Sequence, residues 1–443
     1  VNAAPLVVRH PPAPPVVPGP AAEARAVGDR GRARRAVGGT AFFGLALFMF
    51  VFHANPGNWF DGLEEVGFAK MAAAFALVAL LGAALLYNKS LRLGGRSGWA
   101  VVGLFAWVGA SALWSVWPKF SLDTATDGLK YLAIFFVTVN VIDEKSRARR
   151  FVALLGAAAV IPACGAIWSW AHDEHLVDGD RAGWIGIFAN PNDLAFHLAI
   201  GVAMVLGARD EASVARRSSV VAALWLVALV PIGIAILLTQ SRGGLLGTGG
   251  VLAWWLITHA RDHRRPTAIA KGVIGVGAAL GLIVAIAGGP RWQHRMETSQ
   301  VAGEDVSARG RLDAWRTGGN IALHRPLTGV GAGAFMIAWP EFAPGDAGPA
   351  RTGHNTFIQL VGELGFPALG LFIAFLVGAA LAARRAARVP ALTSQARALQ
   401  GALIAFTICS LSGGHAFSWP CYLVVGAALG MGELARAARG GAR

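Results

Sequence analysis

Residues 351–376 read RTGHNTFIQLVGELGFPALGLFIAFL, a polar opening that runs into a long apolar stretch. His354 stands at the mouth of the helix this pattern predicts. The positive end of a helix macrodipole favours neutral imidazole, the form a general base requires. Below it Asn355, Gln359 and Glu363 recur at i, i+4 and i+8 and share one helical face. That stripe is either interhelical hydrogen bonding or the wall of a cavity that holds substrate.

Two arginines offer complementary chemistry. Arg242 lies in LLTQSRGGLLG, where one apolar run stops and another begins, with no Asp or Glu nearby in sequence. An ionisable group at that depth marks a paired site or a substrate path, or it snorkels to headgroups. A guanidinium fork suits phosphate oxygens, and Gly243 and Gly244 would let a headgroup approach closely. Arg311 lies in DVSARGRLDAWRTGGNIALHRP, where Leu312, Trp315, Gly319 and Leu323 fall near helical spacing and Pro326 ends the pattern. Arg309, Asp313 and Arg316 share one face of that helix, as a surface salt bridge between Arg309 and Asp313 would require. Arg311 sits over Trp315 instead. In RAGWIGIFANPNDLAFH, Asn190, Pro191 and Asn192 turn the chain, and Asn192 or Asp193 can cap the following helix. Capping leaves Arg181 and a second carboxamide unexplained. HDEH at 172–175 fits no standard ligand spacing, and GVGAG at 329–333 lacks the strand-then-helix setting of a phosphate loop. No acidic pair stands beside the arginines, so the pattern demands no divalent metal.

The elements that must position these groups are membrane helices. Of 443 residues 55% are hydrophobic and 14% charged, where a soluble domain carries roughly 25% charged. About 20 apolar residues cross a bilayer, and twelve stretches approach that length: 36–54, 66–87, 98–117, 125–142, 151–171, 193–208, 219–238, 243–258, 268–289, 356–382, 398–414 and 417–434. The expected fold is an all-α integral membrane protein. Most of the 39 Lys and Arg residues fall in alternate connections, which places both ends in the cytoplasm and the arginine-and-histidine segments outside. The net charge of +14 is therefore topological and implies no nucleic acid. Residues 1–35 form a Pro/Ala-rich, basic tail expected to be disordered, and 437–443 a second tail; no cleavable signal peptide is evident. Cys164, Cys409 and Cys421 fall in helices and are expected as free thiols. The 290–355 connection is long for a compact bundle, and such loops commonly carry function.

GWIGIFANPNDLA, LLTQSRGGLLG, SARGRLDAWRTGGNIALHRPLTGVGAGAF and GHNTFIQLVGELGF, in this order, resemble the O-antigen ligase and O-antigen polymerase family of bacterial membrane glycosyltransferases. His354, Asn355 and Gly365 meet the ligase pattern of His, then Asn, Ser or Gln, then Gly after nine residues. Its last position, usually Gly, Thr or Tyr, is Ala368 here, a departure that bears on ligase against polymerase. The resemblance implies a C-type glycosyltransferase bundle in the bacterial inner membrane, with helices over 36–289 and 356–436 and a periplasmic lid at 290–355. It implies transfer of a glycan from undecaprenyl diphosphate to lipid A-core, or in a polymerase to another lipid-linked repeat, with inversion and without metal or cofactor. Carried over by motif, Arg242 and Arg311 would hold the diphosphate and His354 would activate the acceptor hydroxyl, with Arg181, Asn190, Asn192, Asn355 and Arg316 as substrate-binding candidates. A polyprenyl-diphosphate-glycan transporter is the rival from another class. It would place comparable polar groups at the midplane and the inner side, whereas here they crowd the outer face.

Overall fold

The computed structural model describes residues 38–59, 62–63, 66–178, 180–214, 219–263 and 306–440. The expected span 268–289, the tail at 1–35 and the first part of the long loop lie outside these residues. The chain is a multi-pass membrane protein built from helices. They are α1 (38–54), α2 (Phe68–Tyr87), α3 (Arg96–Ala110), α4 (Pro118–Val141), α5 (Lys145–Ala158), α6 (Val160–Ala171), α7 (Pro191–Val214), α8 (Ser219–Leu238) and α9 (Arg242–His263). After the undescribed gap come α10 (Val306–His324), α11 (Trp339–Phe342), α12 (Thr356–Ala386), α13 (Thr393–Ser410) and α14 (Trp419–Gly440). Two short strands, Leu176–Val177 and Arg181–Ala182, pair antiparallel in the α6–α7 connection.

Each of the eleven expected spans within the described residues falls on a helix, and seven helices among these residues have the length and hydropathy to cross a bilayer. The difference has a plain cause. Helix α3 is only 15 residues long. Helices α4 and α13 begin with charged or carboxamide side chains, and α9 begins with Arg and Gly and ends in charged residues, which dilutes their hydropathy.

Burial sorts the spans. The apolar window of α7 is 89% buried and that of α8 only 22%. Helix α7 is therefore the centre of one group, packed by α5, α8, α9 and α13, while the apolar face of α8 is left to lipid. Helix α12 packs on α3, α10, α13 and α14, and α13 joins the two groups.

Helix α12 is broken. Gly365 has φ 73° and ψ 179°, and Pro367 follows inside the helix. Pro367 has no N–H to return to the Glu363 carbonyl, and in a membrane an unmet carbonyl costs several kcal/mol. The glycine-rich segment after α10 supplies the missing partners. Gly331 N–H donates to the Glu363 carbonyl at 2.8 Å, Val330 N–H to that of Gly362 at 3.0 Å, and Phe366 N–H turns away to the Pro326 carbonyl at 2.8 Å. Trp107 Nε1 donates to the Leu364 carbonyl at 2.8 Å. GVGAG is thus a clasp on the break: Gly329, at φ +61°, lies flat against the Glu363 backbone, where a side chain would collide.

Candidate active site

The starts of α9 and α12, which carry Arg242 and His354, meet on a turn, LSGGH at 411–415, between α13 and α14. Helix α9 begins against it: an added methyl at Gly243 would strike the Ser412 hydroxyl, and Cys409 Sγ donates to the Gly243 carbonyl at 3.4 Å. Helix α12 begins against it too. Asn355 Nδ2 donates to the Leu411 carbonyl at 3.2 Å, and Thr356 Oγ1 to that of Gly413 at 2.8 Å. His415 N–H donates to Thr356 Oγ1 at 2.8 Å. Arg242 and His354, each one residue from such an anchor, therefore lie at the same end of the bundle.

Both residues follow or occupy left-handed backbone. Gln240 has φ +51° and His354 itself φ +45°. Histidine tolerates this region better than most residues, yet strain held beside a helix start commonly marks a working position. Asn355 caps α12, its Oδ1 accepting from Phe357 N–H at 2.9 Å and Ile358 N–H at 3.2 Å.

His354 is half-buried. Its pKa is lowered first by that burial and then by the positive charges of Arg311 and Arg351. The direction is the expected one, but desolvation and two guanidiniums account for it instead of the helix end. The same effect places Arg311 electrostatically beside His354. Helix α10 reaches α12 through Gly318, which meets Ile358 with no room for a side chain, and the Arg351 guanidinium lies over Gly310. The 306–350 region also has a small core of its own, with Ala314, Ile321, Phe335, Trp339 and Phe342.

Other expectations change. The buried face of α10 is Ala314, Thr317, Gly318 and Ile321, while Leu312, Trp315 and Leu323 are exposed. Small residues are buried here because the two backbones approach closely. Asp313 pairs with Arg316 at 4.0 Å and not with Arg309. Arg316 is itself 62% exposed, about 140° round the helix from Arg311. Asn190, not Asn192 or Asp193, caps α7, its Oδ1 accepting from Asn192 N–H at 2.8 Å. Arg181 is buried: Nε donates to the Thr239 carbonyl at 3.0 Å, Nη2 to Asn192 Oδ1 at 3.0 Å, and Nη1 lies 3.3 Å from Asp178. It therefore clamps the turn preceding Arg242 to the start of α7. Gln359 and Glu363 are structural as well, since Gln359 Nε2 donates to Glu363 Oε1 at 3.0 Å and Gly333 N–H to Oε2 at 2.9 Å. The glutamate helps hold the clasp.

Comparison with known proteins bears on this end of the molecule. Residues 227–373 match the model of the family described as O-antigen ligase. This stretch therefore resembles an O-antigen ligase family domain. It contains Arg242, Arg311, Arg316, His354 and Asn355, whereas Arg181, Asn190 and Asn192 precede it. Members of the O-antigen ligase family are glycan-transferring enzymes. The chain is also 28% identical over 292 residues to the exopolysaccharide production protein ExoQ of Rhizobium meliloti (strain 1021). That match covers 60% of this chain and 60% of the relative's length.

Two parts of the site were not singled out from the sequence. Arg351 was visible as a charge near His354 but had no role. The LSGGH turn carried a faint signal, a Ser-Gly-Gly-His break between two apolar runs. His415 is buried in it, stacked on Phe196 at 4.1 Å with its Nδ1 3.5 Å from Asp193 Oδ1. Burial pushes its pKa down to about 4, so it is neutral at ordinary pH.

Proposed function

We propose that the protein is an O-antigen ligase, transferring a glycan from undecaprenyl diphosphate to a sugar hydroxyl of lipid A-core at the periplasmic face of the bacterial inner membrane. The observation that carries this is the meeting of the α9 and α12 starts on one turn, with Arg311 acting on His354. His354, held neutral, takes the proton of the attacking hydroxyl. The new bond forms at the anomeric carbon on the face opposite the diphosphate, so the centre inverts. The anomeric carbon–oxygen bond breaks with its electron pair leaving on undecaprenyl diphosphate, and Arg242 and Arg311 stabilise that charge. Donors fixed where charge develops are commonly the largest contribution to such a step.

A polymerase of the same family is the second reading, favoured by Ala368 and by the likeness to an exopolysaccharide production protein. Reconstituted vesicles given lipid-linked glycan, with and without lipid A-core, separate the two. A ligase forms product only when lipid A-core is present. Growth of the lipid-linked chain without it assigns the polymerase, and movement of intact lipid-linked glycan with no new glycosidic bond would assign a transporter.

A further inference from the structure

A polar cavity lies at the end of the bundle opposite the candidate active site. Helix α7 starts beside the candidate site, and its residues Ala208, Glu211 and Ala212 reach the cavity, about 25 Å further along at the rise of an α-helix. The cavity has a volume of about 330 Å³, the lower end of the range for pockets that hold small ligands. The start of α5 contributes Ser146, Arg149 and Arg150, the start of α8 Val221 and Trp225, and the start of α13 Gln395.

Its chemistry is unbalanced in a specific way. Arg149 Nη1 lies 3.3 Å from Glu211 Oε1, and Gln395 Nε2 donates to Glu211 Oε2 at 2.8 Å. Among the described lining residues two guanidiniums thus face one carboxylate, leaving a positive charge. Gln395 is 1% exposed, and its Oε1 accepts from nothing among the described residues. A buried acceptor without a donor costs about 1–3 kcal/mol, and such groups ordinarily have a partner. An occupant suited to this lining carries an anion for the arginines, and a hydrogen-bond donor on it would complete Gln395. Its surroundings give its third property. Val220, Val221, Leu224 and Val227 on the adjoining face of α8 are exposed apolar side chains, so acyl chains can lie beside the mouth of the cavity.

We propose that this cavity is a specific phospholipid site, taking a phosphodiester on Arg149 and Arg150 and a headgroup hydroxyl on Gln395. The positive-inside charge pattern puts it at the cytoplasmic leaflet, where basic pockets between helices bind anionic headgroups. Phosphatidylglycerol has the required combination; phosphatidylcholine has the phosphate but no net charge and no donor.

The full chain, stripped of lipid in detergent, is titrated with each of these lipids while bound lipid is counted by native mass spectrometry. Phosphatidylglycerol is expected to bind at least about tenfold tighter than phosphatidylcholine, and the Arg149→Gln/Arg150→Gln variant to lose about tenfold or more of that affinity, the effect of one charge-assisted hydrogen bond. Gln395→Leu, which leaves both arginines in place, is expected to weaken phosphatidylglycerol and leave phosphatidylcholine unchanged. It also keeps the test open if the double variant fails to fold. Equal binding of the two lipids by the unaltered protein overturns the proposal. So does undiminished phosphatidylglycerol binding by Gln395→Leu, or by a folded double variant. Displacement of phosphatidylglycerol by millimolar inorganic phosphate overturns it too, since the occupant is then a soluble anion.

Discussion

The role proposed for His354 requires an uncharged imidazole, and its surroundings favour that form. Because burial, Arg311 and Arg351 all lower its pKa, the neutral base persists to lower pH than a free imidazole would allow. Transfer should therefore fall on the acid side, as His354 gains its proton. Removing one of the neighbouring charges by Arg351→Gln raises the pKa, so the acid limb of a pH–rate profile moves to higher pH. An unmoved limb would show that His354 is not the titrating base. His354→Ala should cut kcat/KM roughly 10²- to 10⁴-fold, the usual contribution of a general base. Arg242→Ala and Arg311→Ala should each weaken binding of lipid-linked diphosphate by about 10- to 100-fold, measured with purified protein, as loss of a charge-assisted hydrogen bond predicts. His354, Arg242 and Arg311 were legible because each interrupts an apolar pattern or lacks a local partner in sequence. The clamp that Arg181 makes was not, because the Thr239 carbonyl and Asn192 that engage it come from two other segments.

At the scale of elements, the contact of α10 with α12 carries the geometry, since it keeps the positive charge of Arg311 close enough to act on His354. Gly318→Leu should drive the two helices apart; overpacking of this kind typically costs about 1–3 kcal/mol. The expected outcome is a lowered thermal midpoint together with reduced transfer. Transfer that survived at full rate would separate Arg311 from the reaction. The sequence pattern finds α10 but does not say which of its faces is buried. Leu312, Trp315 and Leu323 and the set Ala314, Gly318 and Ile321 both have helical spacing, and periodicity alone cannot say which of two faces meets a neighbour. Close backbone approach selected the small residues. The break in α12 was equally hidden. Gly365 and Pro367 invite a kink, but the donors that complete it sit over thirty residues upstream. Gly365→Ala forces a side chain into left-handed backbone and against the Leu327 carbonyl, so it should destabilise by about 1–3 kcal/mol, read as a drop in thermal midpoint.

For the whole molecule, the two polar ends make topology testable. In a variant with its cysteines replaced by Ser, a Cys at exposed Leu323 should react with a membrane-impermeant maleimide in intact spheroplasts. A Cys at Arg388, beyond the far end of α12, should react only after the membrane is permeabilised. The opposite pattern would put the candidate site in the cytoplasm and end the proposed role. Overall hydrophobicity and charge distribution made the membrane class and helix positions legible, because both are summed over many residues. The LSGGH turn was harder to see, since its importance lies in which distant helix starts land on it.

The clasp on the broken helix also bears on biogenesis. Residues 326–331 leave the ribosome before the helix whose carbonyls they satisfy, and so does Trp107. When Thr356–Ala386 passes from the translocon into lipid, the donors for its gap are already made. A chain with these segments permuted, so that the helix emerged first, would leave its bare carbonyls waiting in hydrocarbon for partners still to be synthesised.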